Sequence, residues 1–186
     1  MEFLTCVVSP VLFLMGKMCK NIKCPKVVAV VLPRFGGKST FIQSVSSNNY
    51  LLLDLEENVK MMMTENERSQ IESLQGSNSF SLHYYPLVKK YLKSIILDHP
   101  NKNIVVFVSS LDLAKYCDIK TINAFVPSSN LCDTIKAGLS GEAQKLFDTS
   151  KNDLLVKLKP KQLNVYDSWL KLSELLSDKY DLTSKL

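Results

Sequence analysis

Arginine is nearly missing from this sequence. Its 186 residues hold 23 basic side chains, and only Arg34 and Arg68 are arginines. A guanidinium is the usual clamp on a phosphate in transfer, because its planar fork meets two oxygens at once. The net charge is +5, with no concentrated basic face, which speaks against a nucleic-acid binder. Lys17, Lys20, Lys23 and Lys26 gather near the N-terminus, but four lysines alone give only weak, salt-dependent binding to nucleic acid. No CxxC pair occurs. The cysteines, Cys6, Cys19, Cys24, Cys117 and Cys132, are odd in number and irregularly spaced, and His83 and His99 lie far from them. A disulfide frame and a zinc site are thereby excluded, and reduced thiols in a cytoplasmic setting are expected. Solenoid-length repeats and compositionally disordered stretches are absent as well.

A membrane-spanning run is also lacking. The stretch FLTCVVSPVLFLMG (3–16) is too short to cross a bilayer, is broken by Pro10, and follows Glu2 instead of a basic leader. Residues 1–25 therefore read as an apolar and basic arm. It fits a strand or helix packed on the domain, or a segment that docks a protein partner. A membrane-associated or cleaved segment is the alternative. The composition is rich in Asn, Ser, Lys and Leu and poor in Gly and Arg. That fits an AT-rich coding source, a viral one among them.

What is present is an alternation of strand and helix patterns. KVVAVVL (26–32) is an unbroken β-branched run, which suits a strand buried on both faces of a parallel sheet. NNYLLLDLEE (48–57), NKNIVVFVSS (101–110) and TINAFVPSS (121–129) repeat the pattern. DLLVKLK (153–159) is either a fifth strand or helical. Helices are expected over 38–46, 64–75, 81–97, 128–137, 140–150 and 162–178. Thr64 with Glu67 three residues on forms a capping-box signature. Tyr84, Leu87, Val88, Tyr91, Leu92, Ile95 and Ile96 form one apolar helical face, so core packing is expected of the tyrosines. Trp169 reads as a core anchor. The alternation predicts an α/β three-layer sandwich: a mostly parallel sheet of about five strands with helices on both faces.

The chemistry lies in VVAVVLPRFGGKSTFIQSV (27–45), which reads as strand, glycine turn and helix. The window LPRFGGKS matches the second half of the phosphate-loop pattern G-x4-G-K-[ST] and departs from it at the first glycine, where Leu32 stands. In that pattern Gly37 lets the backbone approach a phosphate and Lys38 reaches the terminal phosphates. Ser39 holds Mg²⁺ through its hydroxyl, and Thr40 opens a helix whose N-terminus favours anions. Gly36 is expected to restore the conformational freedom lost at Leu32, and Pro33 to give a rigid exit from the strand.

Residues 26 to about 57 resemble the start of a P-loop kinase of the nucleoside-monophosphate, shikimate or small-metabolite type. The resemblance rests on the strand, the GGKST loop, the first helix and a second strand ending in acid. It implies ATP (or GTP) and Mg²⁺ as cofactors, and a nucleotide with a small-molecule acceptor as partners. It implies Lys38 for charge on the transferred group, Asp54 for orienting the acceptor, and Glu56, with Ser39, for the metal and its waters. The third strand, where that family commonly carries its metal-binding aspartate, ends instead in Ser109 and Ser110, a pair that could hold a Mg²⁺-bound water or a phosphate and that also suits the cap of a following helix. The lid of such kinases should fall at about 127–160, where no arginine occurs and Lys136, Lys145, Lys151, Lys157 and Lys159 are the cations. Arg34, inside the loop, could stand in at a phosphate or the base. Arg68 could hold an acidic or phosphorylated substrate. Two functions are thus open. One is phosphoryl transfer to a nucleoside, nucleotide or small hydroxylated metabolite. The other is a degenerate domain that serves as a nucleotide-binding or structural and regulatory module.

Overall fold

Alternate residues of a strand face opposite ways, and the two runs at 27–31 and 104–108 are apolar at every step. Such strands need cover on both faces. The structure, a computed structural model, describes residues 25–180 and 182–184 and gives them that cover. Strands β1 (Val27–Val31), β2 (Tyr50–Asp54), β3 (Asn103–Val108), β4 (Thr121–Pro127) and β5 (Leu163–Tyr166) form one sheet in the order β2-β3-β1-β4-β5. Every pairing in it is parallel. Parallel neighbours require long crossovers, and the helices supply them: α1 (Lys38–Ser44), α2 (Leu55–Met62), α3 (Glu65–Ser73), α4 (Phe80–Asp98), α5 (Leu111–Tyr116), α6 (Ser129–Ala137), α7 (Gly141–Lys157) and α8 (Trp169–Tyr180). A short antiparallel ribbon joins Val45–Ser46 to Thr183–Ser184.

The core is split by the sheet. On one face Ala29, Val31, Ile104, Val106 and Val108 pack under α2, α3, α4 and α5, with Leu154 of α7. On the other, Val28, Val30, Val105, Phe107 and Phe125 meet Phe41, Leu131, Leu172 and Leu176 from α1, α6 and α8. Each such side chain contributes roughly 1.5–3 kcal/mol when fully buried. The expected three-layer architecture, with five strands and helices on both faces, is the one observed.

Three element boundaries differ from expectation. DLLVKLK belongs to α7 through Lys157, and the fifth strand is Leu163–Tyr166, inside the stretch read as the start of the last helix. The step of three from Leu163 to Tyr166 to Trp169 mimics a helical face. It actually spans an edge strand and the first residue of α8. Second, β2 does not run through the acids: Asp54 ends it and caps α2, accepting from the Glu57 amide. Third, Trp169 is not a core anchor. It is 44% exposed, and Tyr166, three residues earlier, is the buried aromatic there.

The segment expected as a lid is α6 and α7. Phe147 and Leu154 of α7 are fully buried, which seats that helix on the body of the domain. The capping box at Thr64 and Glu67 is present. Cys117 and Cys132 are buried free thiols. No helix among the described residues is long and apolar enough to cross a membrane. The expectations for the arm, and for Cys6, Cys19 and Cys24, lie outside the described residues.

Candidate functional site

Strand order reverses beside β1, whose neighbours β3 and β4 lead off in opposite directions. In open α/β sheets that reversal leaves a crevice at the carboxyl ends of the strands. The glycine loop emerges there. Leu32 does not turn out of the strand: it is fully buried and its amide donates to the Val108 carbonyl at 3.0 Å, extending the ladder by one residue. The missing first glycine is therefore not needed at that position. The chain turns later, with Gly36 N–H donating to Pro33 O at 2.9 Å.

The conformational freedom sits at Phe35 (φ 59°) and Gly37 (φ 77°). Gly36 does not supply it, contrary to expectation. Its backbone has no positive φ, and its lack of a side chain serves space: a Cβ there would lie 2.7 Å from Pro33 O. Phe35 holds a left-handed conformation that costs most side chains about 1–2 kcal/mol. At Gly37 two demands coincide. It is the left-handed N-cap of α1, and a Cβ would come 2.5 Å from the Trp169 ring. The indole thus packs over the loop, which explains why it is only half-buried.

Lys38, Ser39 and Thr40 form the first turn of α1 and line a cleft of about 1590 Å³. Asp54 and Glu56 open onto the same cleft. Ser39 Oγ donates to Asp54 Oδ2 at 3.0 Å. Lys38 Nζ stands 3.8 Å from Glu56 Oε2. Glu56 is held by Ser109 of the loop after β3: the Ser109 amide donates to Oε2 at 3.0 Å and its hydroxyl to Oε1 at 2.7 Å. Ser109 is buried. Ser110 takes the other expected part, capping α5 by accepting from the Leu113 amide. The hold of Ser109 on Glu56 was not foreseen. No local sequence pattern signals it: the contact depends on β3 lying beside β2.

Arg34 is exposed and lines the cleft, and its amide donates to Ser150 Oγ of α7 at 2.9 Å. Arg68 also lines the cleft, but its guanidinium donates to the Lys60 carbonyl at 3.1 Å. Three of the lysines of the lid segment, Lys136, Lys151 and Lys157, are engaged elsewhere. Lys136 pairs with Asp148, and Lys157 with Asp112 and Asp153. From α7 the cleft receives Glu142 and Asp153. The described residues include no cluster of three or more His, Cys, Asp or Glu able to cage a metal. A Mg²⁺ that arrives on a nucleotide needs only one or two protein oxygens beside phosphate and water. The Ser39 hydroxyl and Asp54 carboxylate meet that requirement.

No protein-family model matches the chain, and no curated protein matches it. Among solved structures it is similar to the tunicamycin resistance protein of Deinococcus radiodurans. The identity is 12% and the TM-score 0.50, over 86% of this chain and 98% of that one. It is similar also to a sugar kinase from Janibacter sp. HTCC2649, in an unliganded structure. There the identity is again 12% and the TM-score 0.50, over 84% of this chain and 95% of that one. At this identity the likeness is one of fold alone: a parallel five-stranded sheet with helices on both faces.

Proposed function

We propose that the protein transfers a phosphoryl group from Mg-ATP, or Mg-GTP, to a hydroxylated small molecule. One observation carries the proposal. Lys38 and Ser39 at the start of α1 and the carboxylates of Asp54 and Glu56 share one open cleft, with Ser39 Oγ bonded to Asp54 at 3.0 Å. The likeness of fold to a sugar kinase supports the same reading.

In this reading the amides of residues 36–39 cradle the polyphosphate and the Lys38 ammonium faces its terminal groups. Mg²⁺, when bound, neutralises charge on the phosphates. Ser39 offers it a hydroxyl, while Asp54 and Glu56 hold its waters. Asp54 also orients the acceptor hydroxyl. Arg34 is the one cleft-lining guanidinium whose side chain makes no hydrogen bond or ion pair among the described residues, and it is placed to meet a phosphate.

Thermal unfolding tests this. A nucleotide at 100 times its dissociation constant stabilises a protein by about 2.7 kcal/mol. In a chain of this size that raises Tm by roughly 5–11 °C. We expect Mg-ATP or Mg-GTP to produce the rise and Lys38→Ala to remove it. A wild-type protein whose melting ignores both nucleotides would overturn the proposal.

The acids that α7 turns toward the cleft favour a second reading. Glu142 would repel the charge that develops in transfer, and the nearby Lys136 and Lys157 are already paired, with Asp148 and with Asp112 and Asp153. A domain that binds nucleotide without turning it over would be a regulatory or structural module. Nucleotide-dependent stabilisation without ADP release, across a panel of hydroxylated acceptors, would favour it.

A further inference from the structure

The cleft has an inner half, bounded by α2, α3 and the start of α4, that the phosphate-binding parts do not use. Its charges cancel. Lys60 and Arg68 lie there with Glu57 and Glu72. Lys60 Nζ is 2.8 Å from Glu57 Oε1, and Arg68 is spent on the Lys60 carbonyl. A phosphate or carboxylate entering this half would meet no net positive field. Neutral hydrogen-bonding groups, Gln75 and Ser77, sit beside apolar Met63, Ile71 and Phe80. That mixture suits a ring compound with hydroxyls on its rim and an apolar face.

Tyr84 adds a specific contact. It is 7% exposed, yet it lines the cleft. Its ring is fixed by stacking on Phe80, with centroids 5.0 Å apart and planes at 26°. Its hydroxyl makes no hydrogen bond to any described residue. The hydroxyl lies within electrostatic reach of Glu56, Glu57, Arg34 and Asp54, the groups around the proposed transfer point. Burial first, and then the nearby Glu56 and Glu57, hold the phenol well above its ordinary pKa. It therefore stays protonated and able to donate. A buried tyrosine usually gives its hydroxyl a partner. Here the cleft is the remaining place for one.

We propose that the inner half of the cleft binds an uncharged, hydroxyl-bearing ring compound as acceptor, and that the Tyr84 hydroxyl is the hydrogen-bonding group that reads one of its hydroxyls. This rests on the phosphotransfer reading and narrows its acceptor to sugars and nucleosides that are not yet phosphorylated.

Calorimetric titration of the full chain tests it, with and without saturating Mg²⁺ and the β,γ-imido analogue of ATP. The probes are ribose, glucose, adenosine and thymidine, each against its own phosphomonoester. We expect at least one neutral compound to bind more tightly than its phosphomonoester. Tyr84→Phe keeps the stacked ring and removes one hydrogen bond, so it should weaken that binding by about five- to tenfold. The same variant should bind the ATP analogue as the wild type does. Tighter binding of the phosphomonoesters, no neutral binder in the panel, or unchanged affinity in Tyr84→Phe would each overturn the inference. Failure of the ATP analogue to bind would instead count against the phosphotransfer reading. The titrations without nucleotide would then still decide whether Tyr84 reads a neutral ring.

Discussion

Ser109→Ala is the most direct test of how the site is held together. The Ser109 hydroxyl donates to Glu56 Oε1 at 2.7 Å, and the residue is 7% exposed. A hydrogen bond to a charged group contributes about 1.5–3 kcal/mol. Removing one oxygen leaves a space too small to cost much by itself. The Ser109 amide would still hold Oε2, so Glu56 would keep one tether and the loop its path. We therefore expect unfolding to shift by about 1.5–3 kcal/mol, which for this chain length lowers Tm by roughly 3–12 °C. Urea denaturation should show a lower midpoint at an unchanged m value. The effect should run through Glu56. In a double-mutant cycle with Glu56→Gln, the two losses should fall short of additivity by about 1 kcal/mol or more. Under the phosphotransfer reading, the Mg²⁺ needed for half-maximal stabilisation by ATP should also rise, because the acid is less firmly aimed. If Ser109→Ala melts within a degree of the wild type, or the cycle is additive, Ser109 does not position Glu56 and the reasoning fails.

Tyr166 is fully buried with a hydroxyl that has no hydrogen-bond partner among the described residues. Tyr166→Phe keeps the ring and removes the stranded oxygen, so we expect stabilisation of about 1–3 kcal/mol, read as a higher urea midpoint; a lower midpoint would show that the hydroxyl is satisfied. Glu67 accepts from the Tyr91 hydroxyl, from Lys90 and from the Thr64 amide and hydroxyl, which pull its carboxyl down to about 2. A depressed carboxyl stabilises the fold above its unfolded pKa and loses that contribution as pH falls toward the folded one. The stability gap between wild type and Glu67→Gln should hold steady above about pH 5 and shrink from there down to about pH 2. A gap that is flat across that range would contradict the assignment.

The parts legible in the sequence were those with strong periodicity or strong local chemistry. Four of the strands carry largely apolar runs, and the capping box at Thr64 and Glu67 fixes where α3 begins. The loop announced itself through the run from Gly36 to Thr40. What stayed hidden were boundaries where two signals overlap. Asp54 is an N-cap and a cleft carboxylate at once, so a strand-end acid concealed the start of α2. The fifth strand has four residues with a helical-looking spacing around it. The role of Ser109 depends on which strands are neighbours, and no local pattern carries that. The left-handed backbone expected at Gly36 falls at Phe35 and Gly37, and the strand lasts one residue longer than the glycine pattern presumes, through the Leu32 bond to Val108.

The bond from the Arg34 amide to Ser150 has a mechanical consequence. It stitches the phosphate loop to α7, and α7 is rooted in the interior by Phe147 and Leu154. A helix fastened at both points cannot swing outward as a free flap without dragging the loop out of shape. Movement of α7 and movement of the loop should therefore be coupled.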